Sequence, residues 1–143
     1  MPVLVERHTA PLDATLVTEL GRLYQDSPDF SSAASAQAVI HDAVETGDVL
    51  YAALFNGKHI AAALIRGTGP TRHLHYLAVH PATRQRGVAG RLVDEIRRTE
   101  AETGAEWIEA DFDTTQEGIP EMLLSMGFIP HGADGHFRAA TRD

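Results

Sequence analysis

The sequence predicts an α/β fold, more narrowly a mixed α+β sheet, with elements in the order β-α-α-β-β-β-α-β-α-β-β. Three observations carry that expectation. Val49–Phe55, Lys58–Ile65 and Arg72–Val79 follow one another as strand-like segments with short connections, which makes an antiparallel meander. An apolar-striped helical stretch from about Gly87 then separates Val79 from a further strand, Glu106–Phe112, and such a β-α-β unit closes as a parallel crossover. Ahead of the meander, Leu12, Leu16, Leu20 and Leu23 fall on one face of a helix.

Each element has a local reason. Val3-Leu4-Val5 is short and β-prone, and Pro11 opens a helix expected to reach Tyr24 before Ser27-Pro28 breaks it. Ser31 or Ser32 can cap a second helix carrying Val39, Ile40 and Val44, closed by Gly47. Asn56-Gly57 is a strong two-residue hairpin signal between the first two meander strands, and Gly67-Thr68-Gly69-Pro70 turns the chain into the third. The next helix points Leu92, Val93 and Ile96 inward and Asp94, Glu95, Arg97, Arg98 and Glu102 outward, and Gly104 ends it. After Glu106–Phe112, Thr114 or Thr115 caps a helix through Met122, Leu123, Leu124 and Met126. Phe128-Ile129 and His136–Ala139 complete the sheet around a Gly132–Gly135 turn. No repeat, linker or low-complexity tract intervenes, so a single domain over residues 1–143 is expected.

Composition narrows the function classes. A chain of 143 residues with 43% hydrophobic content can bury a core, and its zero cysteines remove disulfides, thiolate nucleophiles and cysteine-bound zinc. No run approaches the ~18 apolar residues of a membrane span, and the first residues lack a secretory pattern, so a cytoplasmic protein without a membrane partner is expected. The net charge of −8 argues against nucleic acid, whose phosphates require a basic face. Against that acidity, Arg84, Arg86, Arg91, Arg97 and Arg98 gather five of the twelve basic residues within fifteen positions, which suggests an anionic ligand.

The sharpest motif is Arg84-Gln85-Arg86-Gly87-Val88-Ala89-Gly90, between a strand and a striped helix. Gly87 and Gly90 remove side chains where a ligand approaches backbone, and the first-turn amides and the helix dipole favour a phosphate or pyrophosphate. A P-loop needs Gly-Lys-Ser/Thr, and the chain has Gly-Val-Ala. A dinucleotide fingerprint needs a central glycine directly after the first strand, which is missing here. The third glycine loop, Arg/Gln-x-x-Gly-x-Gly/Ala, is matched by Arg84, Gly87 and Ala89. Leu77-Ala78-Val79-His80-Pro81 before it and Met126-Gly127-Phe128 after it fit the same pattern. On these residues the chain resembles the GNAT N-acetyltransferase superfamily over nearly its whole length.

That resemblance implies acetyl-CoA as cosubstrate or sensed ligand. The backbone of Leu77, Ala78 and Val79 would pair with the pantetheine arm, and Arg84, Gln85, Arg86, Gly87, Val88, Ala89 and Gly90 would hold the pyrophosphate. It also implies N-acetyl transfer to a primary amine of a small molecule or peptide. Direct transfer needs a base for the amine and an acid for the leaving thiolate. Many superfamily members carry a tyrosine as acid four residues before the late Gly-Phe, where this chain has Leu123. Candidate bases are His73 and His75, two apart on one strand face, and Glu109 and Asp111 (with Asp113 beyond them), likewise on the next strand. The paired histidines could suggest a metal, but no third ligand stands at a clear spacing, and none is expected. Trp107 reads as a core or sheet-packing residue.

Leu50–Asn56, Ser27-Pro28, Arg84–Val88 and Ala110-Asp111 are also similar to the PanZ/PanM family, GNAT-fold acetyl-CoA sensors that bind the pyruvoyl-dependent aspartate decarboxylase and promote its self-cleavage in pantothenate and CoA synthesis. That family also lacks the helix tyrosine, although Leu54 stands where it carries an arginine at the decarboxylase interface. Two expectations follow, a transferase with an amine substrate and a sensor with aspartate decarboxylase as partner.

Overall fold

The computed structural model describes residues 3–25, 30–80, 87–112 and 119–142. It contains β1 (Leu4–His8), α1 (Ala14–Tyr24), α2 (Ala33–Glu45), β2 (Val49–Phe55), β3 (Lys58–Arg66), β4 (Thr71–Val79), α3 (Val88–Glu102), β5 (Trp107–Asp111), α4 (Ile119–Ser125), β6 (Ile129–Pro130) and β7 (His136–Ala140). The strands form one seven-stranded sheet in the order β1-β2-β3-β4-β5-β7-β6. Its β4–β5 pair is parallel and the remaining pairs are antiparallel. The mixed sheet and the element order are those expected from the sequence.

The ends of the elements follow local chemistry. Helix α1 starts three residues later than Pro11, because the Asp13 side chain is the cap and accepts the Leu16 amide. Ser32 caps α2 by accepting the Ser35 amide at 3.1 Å. Asn56 and Gly57 adopt φ of 51° and 76°, the two positive angles that a tight right-twisted hairpin turn requires. Ser27-Pro28 and the caps at Thr114 or Thr115 lie outside the described residues.

Packing puts a core on each face of the sheet. On one face Leu16, Leu20, Tyr24, Ile40 and Val44 of α1 and α2 cover Leu50, Ala62 and Leu64. On the other, Leu92, Val93 and Ile96 of α3 and Leu123 of α4 cover Tyr51, Ala53, Ala61, Ala63, Ile65, Leu74 and Ile108. Alanines at 52, 53, 61, 62 and 63 are fully buried in the middle of β2 and β3. Their short side chains let helices approach both faces of the same two strands.

One element departs from its expected orientation. Arg97 does not project outward into solvent: its guanidinium donates to the carbonyls of Ala140 at 2.7 Å and Met126 at 3.2 Å. It therefore ties α3 to β7 and to the end of α4. Nearby, an ionic network is buried at the far end of α3. Arg72, 5% exposed, donates to Glu100 Oε1 at 2.9 Å, to Thr103 Oγ1 at 2.5 Å and to the carbonyls of Thr68, Gly69 and Thr103. Tyr51 donates its hydroxyl to Glu100 Oε2 at 2.5 Å, and burial followed by the Glu100 carboxylate pushes its pKa up, so it stays a donor. The guanidinium also faces the carbonyl end of the helix dipole.

Candidate functional site

The β4–β5 ladder runs only from Thr71↔Trp107 to His73↔Glu109. Past that point the two strands part, and among the described residues Leu74–Val79 have no ladder partner on the β5 side. A bulge lies in the same stretch. Ala62 pairs with Ala78 but Leu64 with His75, so β4 carries one residue more than β3 between those pairs. Tyr76 takes up the excess with φ of +55°, a left-handed angle that a bulky residue adopts only when its surroundings hold it there. Those surroundings are visible: the Tyr24 hydroxyl donates to the Tyr76 carbonyl, Phe30 packs against its ring at 5.0 Å, and His75 stacks on it at 5.2 Å.

The bulge changes which face the strand presents. Leu74 belongs to the α3 core, Tyr76 and Ala78 turn toward the α1–α2 core, and Leu77 and Val79 return to the α3 side. The opening between β4 and β5 thus begins at His73 and leads along Leu77, Ala78 and Val79, all partly exposed, towards α3. Arg84, Gln85 and Arg86 lie outside the described residues. Gly87 is the N-cap of α3, left-handed with φ of 77° and without a side-chain cap. Val88 is buried in the α3 core and has only its backbone amide to offer a ligand, whereas Ala89 and Gly90 are partly exposed. A Cβ added at Gly87 or Gly90 would meet no atom within 4 Å. At Gly87 the glycine serves the backbone angle; at Gly90 packing among the described residues gives no reason for it.

The four side chains expected to supply a base share one sheet face, but they do not form one group. Asp111 Oδ1 lies 2.7 Å from His136 Nδ1, and Glu109 Oε1 lies 2.9 Å from His136 Nε2. These two hydrogen bonds raise the His136 pKa against the effect of burial, so the imidazolium is favoured and both carboxylates are engaged. His73 stands across from Glu109, its ring 6.1 Å from that of His136 and 6.2 Å from that of His75. His75 sits apart, with Nε2 at 3.3 Å from Asp48 Oδ2. Burial and then the Arg66 charge lower its pKa, outweighing Asp48. Arg66 meanwhile binds both Asp48 oxygens at 3.1 Å.

Two participants were not anticipated. Asp48, 5% exposed, is a carboxylate at the head of an apolar strand, and only the fold shows that His75 reaches it from β4, two strands away. His136 joins Glu109 and Asp111 because β7 pairs antiparallel with β5, placing Asp111 opposite His136. Alternation within His136–Ala140 puts His136 and Arg138 on one face, yet the partner strand was not fixed by local pattern. Trp107 packs on that face as expected, with the Arg138 guanidinium 3.8 Å from its ring centroid. Asp113 lies outside the described residues. Leu123, where many GNAT proteins have a tyrosine, is fully buried.

A seven-stranded mixed sheet that parts beside a bulged β4, with a helix starting where that opening leads, is the architecture of GNAT acetyltransferases. A protein of the GNAT family from Desulfovibrio desulfuricans superposes with a TM-score of 0.78 at 17% identity over 98% of this chain and 99% of its own. An aminoglycoside 6'-N-acetyltransferase complexed with coenzyme A does so with a TM-score of 0.81 at 15% identity, covering 98% of each chain. The ribosomal-protein-S18-alanine N-acetyltransferase of Escherichia coli gives 0.77 at 14% identity, over 96% of this chain and 94% of its own. The chain belongs to the family described as "Acetyltransferase (GNAT) domain, PanZ", whose model matches residues 3–135. Among curated proteins none matches it by sequence. No helix among the described residues is long and apolar enough to cross a membrane.

Proposed function

We propose that this protein binds acetyl-CoA in the opening between β4 and β5 and transfers the acetyl group to a primary amine of a small molecule or peptide. The observation that carries the reading is the parting of the strands at His73↔Glu109, which leaves the bulged Leu77–Val79 segment without a β5 partner, its Leu77 and Val79 in the same core as Val88 and Ala89 of the first turn of α3. The fit is favourable on this chain's own terms: Leu77 and Ala78 offer backbone to an amide-bearing arm, and the Gly87–Gly90 turn offers amides and a helix dipole to a pyrophosphate. Acetyl-CoA, when bound, supplies the activated thioester. His75, next to the bulge and held by Asp48, is the base we assign for the incoming amine, because Glu109 and Asp111 are engaged by His136. Leu123 is closed in the core and carries no proton, so water is left to protonate the thiolate.

The glycine positions give a direct test. Acetyl-CoA at 100 times its Kd should add ~2.7 kcal/mol of stability to the wild type. Substitution at Gly87 would mix blockage with strain, since its φ is +77°. Gly90→Glu is the better probe: it sits in the first helical turn, meets no protein atom, and places a carboxylate in the proposed pyrophosphate seat. The variant is expected to melt at the wild-type temperature without ligand and to lose the acetyl-CoA-induced rise. An equal rise in both proteins would remove this ligand assignment.

A second reading is favoured by the family match and by Leu123, an apolar residue where a transferase acid is common. On that reading the protein senses acetyl-CoA and binds aspartate decarboxylase. Linkage then requires acetyl-CoA to change partner affinity and the partner to change acetyl-CoA affinity by the same factor. The surface to probe is the β2–β3 tip, where Leu54 and Phe55 are half-buried beside exposed Asn56. Acetyl-CoA-dependent cleavage of unprocessed decarboxylase, lost in Phe55→Asp, is the result expected of a sensor. Unchanged cleavage and no complex on gel filtration would leave the transferase.

A further inference from the structure

His73, Glu109 and His136 come from three neighbouring strands, β4, β5 and β7, and meet on one face of the sheet. One donor atom from each lies within 4.8 Å of the other two, and all three residues are partly exposed. Register explains the convergence: His73 is directly opposite Glu109, and His136 is one diagonal step from it through the Asp111↔His136 pair. The paired spacing visible in the sequence, His73 with His75, is not the group that assembles, since His75 is turned to Asp48.

We propose that His73, Glu109 and His136 form a binding site for a borderline divalent transition-metal ion of the zinc class, with Asp111 as its outer carboxylate. Two imidazoles and one carboxylate suit zinc and its neighbours in the first transition row rather than calcium or magnesium, which take oxygen ligands. Bonds of ~2.0–2.2 Å around a tetrahedral ion place donors about 3.3 Å apart, so the 4.8 Å limit requires side-chain adjustment only. The Glu109–His136 contact, at 2.9 Å, already approaches that spacing. Asp111 accepts from His136 Nδ1 at 2.7 Å, which fixes the ring and turns Nε2 towards Glu109 and His73 as the coordinating nitrogen. The ion takes the place of the hydrogen that otherwise joins Nε2 to Glu109 Oε1. Three protein ligands leave a position open to water or another small ligand, as in reactive rather than closed structural zinc sites. The site lies where β4 and β5 part, but it does not depend on acetyl-CoA binding, and either reading can fail without the other.

The test uses the untagged full chain, stripped with a chelator and dialysed, with Zn²⁺ alone as titrant against a chromophoric competitor. One ion per chain is expected, with affinity weakened at least ~10-fold in each of His73→Ala, Glu109→Gln and His136→Ala. Asp111→Asn keeps every ligand and should weaken binding ~10–100-fold through ring orientation alone. The Asp111 side chain is 69% exposed, so this variant keeps its fold. His41→Ala removes a different exposed imidazole, beside Asp42 and Glu45, and should change nothing. Co²⁺ added to the wild type should give the intense visible bands of four- or five-coordination. A weak six-coordinate spectrum, or a Zn²⁺ affinity that falls with His41→Ala and not with His73→Ala and His136→Ala, overturns the site.

Discussion

Alanine in place of His75 is expected to lower kcat for acetyl transfer ~10²–10⁴-fold, the usual contribution of a positioned general base, with little change in the KM for acetyl-CoA. The expectation comes from how the polar face divides. Glu109 and Asp111 are both within 2.9 Å of His136, whereas His75 contacts a buried carboxylate whose other partner is Arg66. Asp48→Asn preserves shape and removes the acceptor's charge, so it should lower kcat less than His75→Ala and again spare KM. The measurement is free CoA released with a panel of polyamines, amino acids and aminoglycosides, repeated for His73→Ala, His75→Ala, Glu109→Ala and Asp111→Ala. Turnover that survives His75→Ala and falls with one of the other three would move the base to that residue.

The largest stability loss is expected from Glu100→Ala. Arg72 would keep its buried place with only neutral partners and no anion, and stranding one half of a buried ion pair costs about 3–5 kcal/mol. Tyr51 would lose its acceptor as well. For a chain of this size each kcal/mol moves the midpoint by roughly 3–5 °C, so Tm should fall by about 10–20 °C. Replacing both charges with apolar residues of similar volume, Arg72→Met with Glu100→Leu, should recover much of the loss, because neither charge is then left alone. Denaturant or thermal unfolding of the three proteins decides it, and a single variant as stable as the wild type would show that water reaches Arg72.

Much of the fold was written in short-range signals. Asn56-Gly57, Ser32, Gly47 and the leucine spacing of α1 each specify a local conformation, and the strands and helices fall close to where those residues place them. What stayed hidden depends on partners distant in sequence. Arg97 and Arg98 are adjacent and look alike on a helix, yet only Arg97 meets the carbonyls of Ala140 and Met126. The same holds for the polar face: His73 and Glu109 were visible as candidates, but His136 could join them only once β7 was known to lie against β5. Helix α3, placed near Gly87 from its glycine loop, begins at Val88 with Gly87 as its cap. The Tyr76 bulge had no signal, since a tyrosine in a strand-like run gives no hint of a left-handed angle.

That bulge makes the length of β4 as consequential as its composition. Removing the one extra residue would let β4 pair residue for residue with β3 and leave Ala78 and Val79 on their present faces. Straightening the bulge at constant length would instead make the side chains that follow trade faces. In the straightened strand Leu77 and Val79 would leave the α3 core together and Ala78 would enter it. Most point substitutions here are graded in effect, but one that abolishes the bulge at constant length acts like a reading-frame change carried out in three dimensions. Natural drift in this segment is therefore expected either to keep a residue held in the left-handed angle at position 76 or to lose the bulge together with its extra residue.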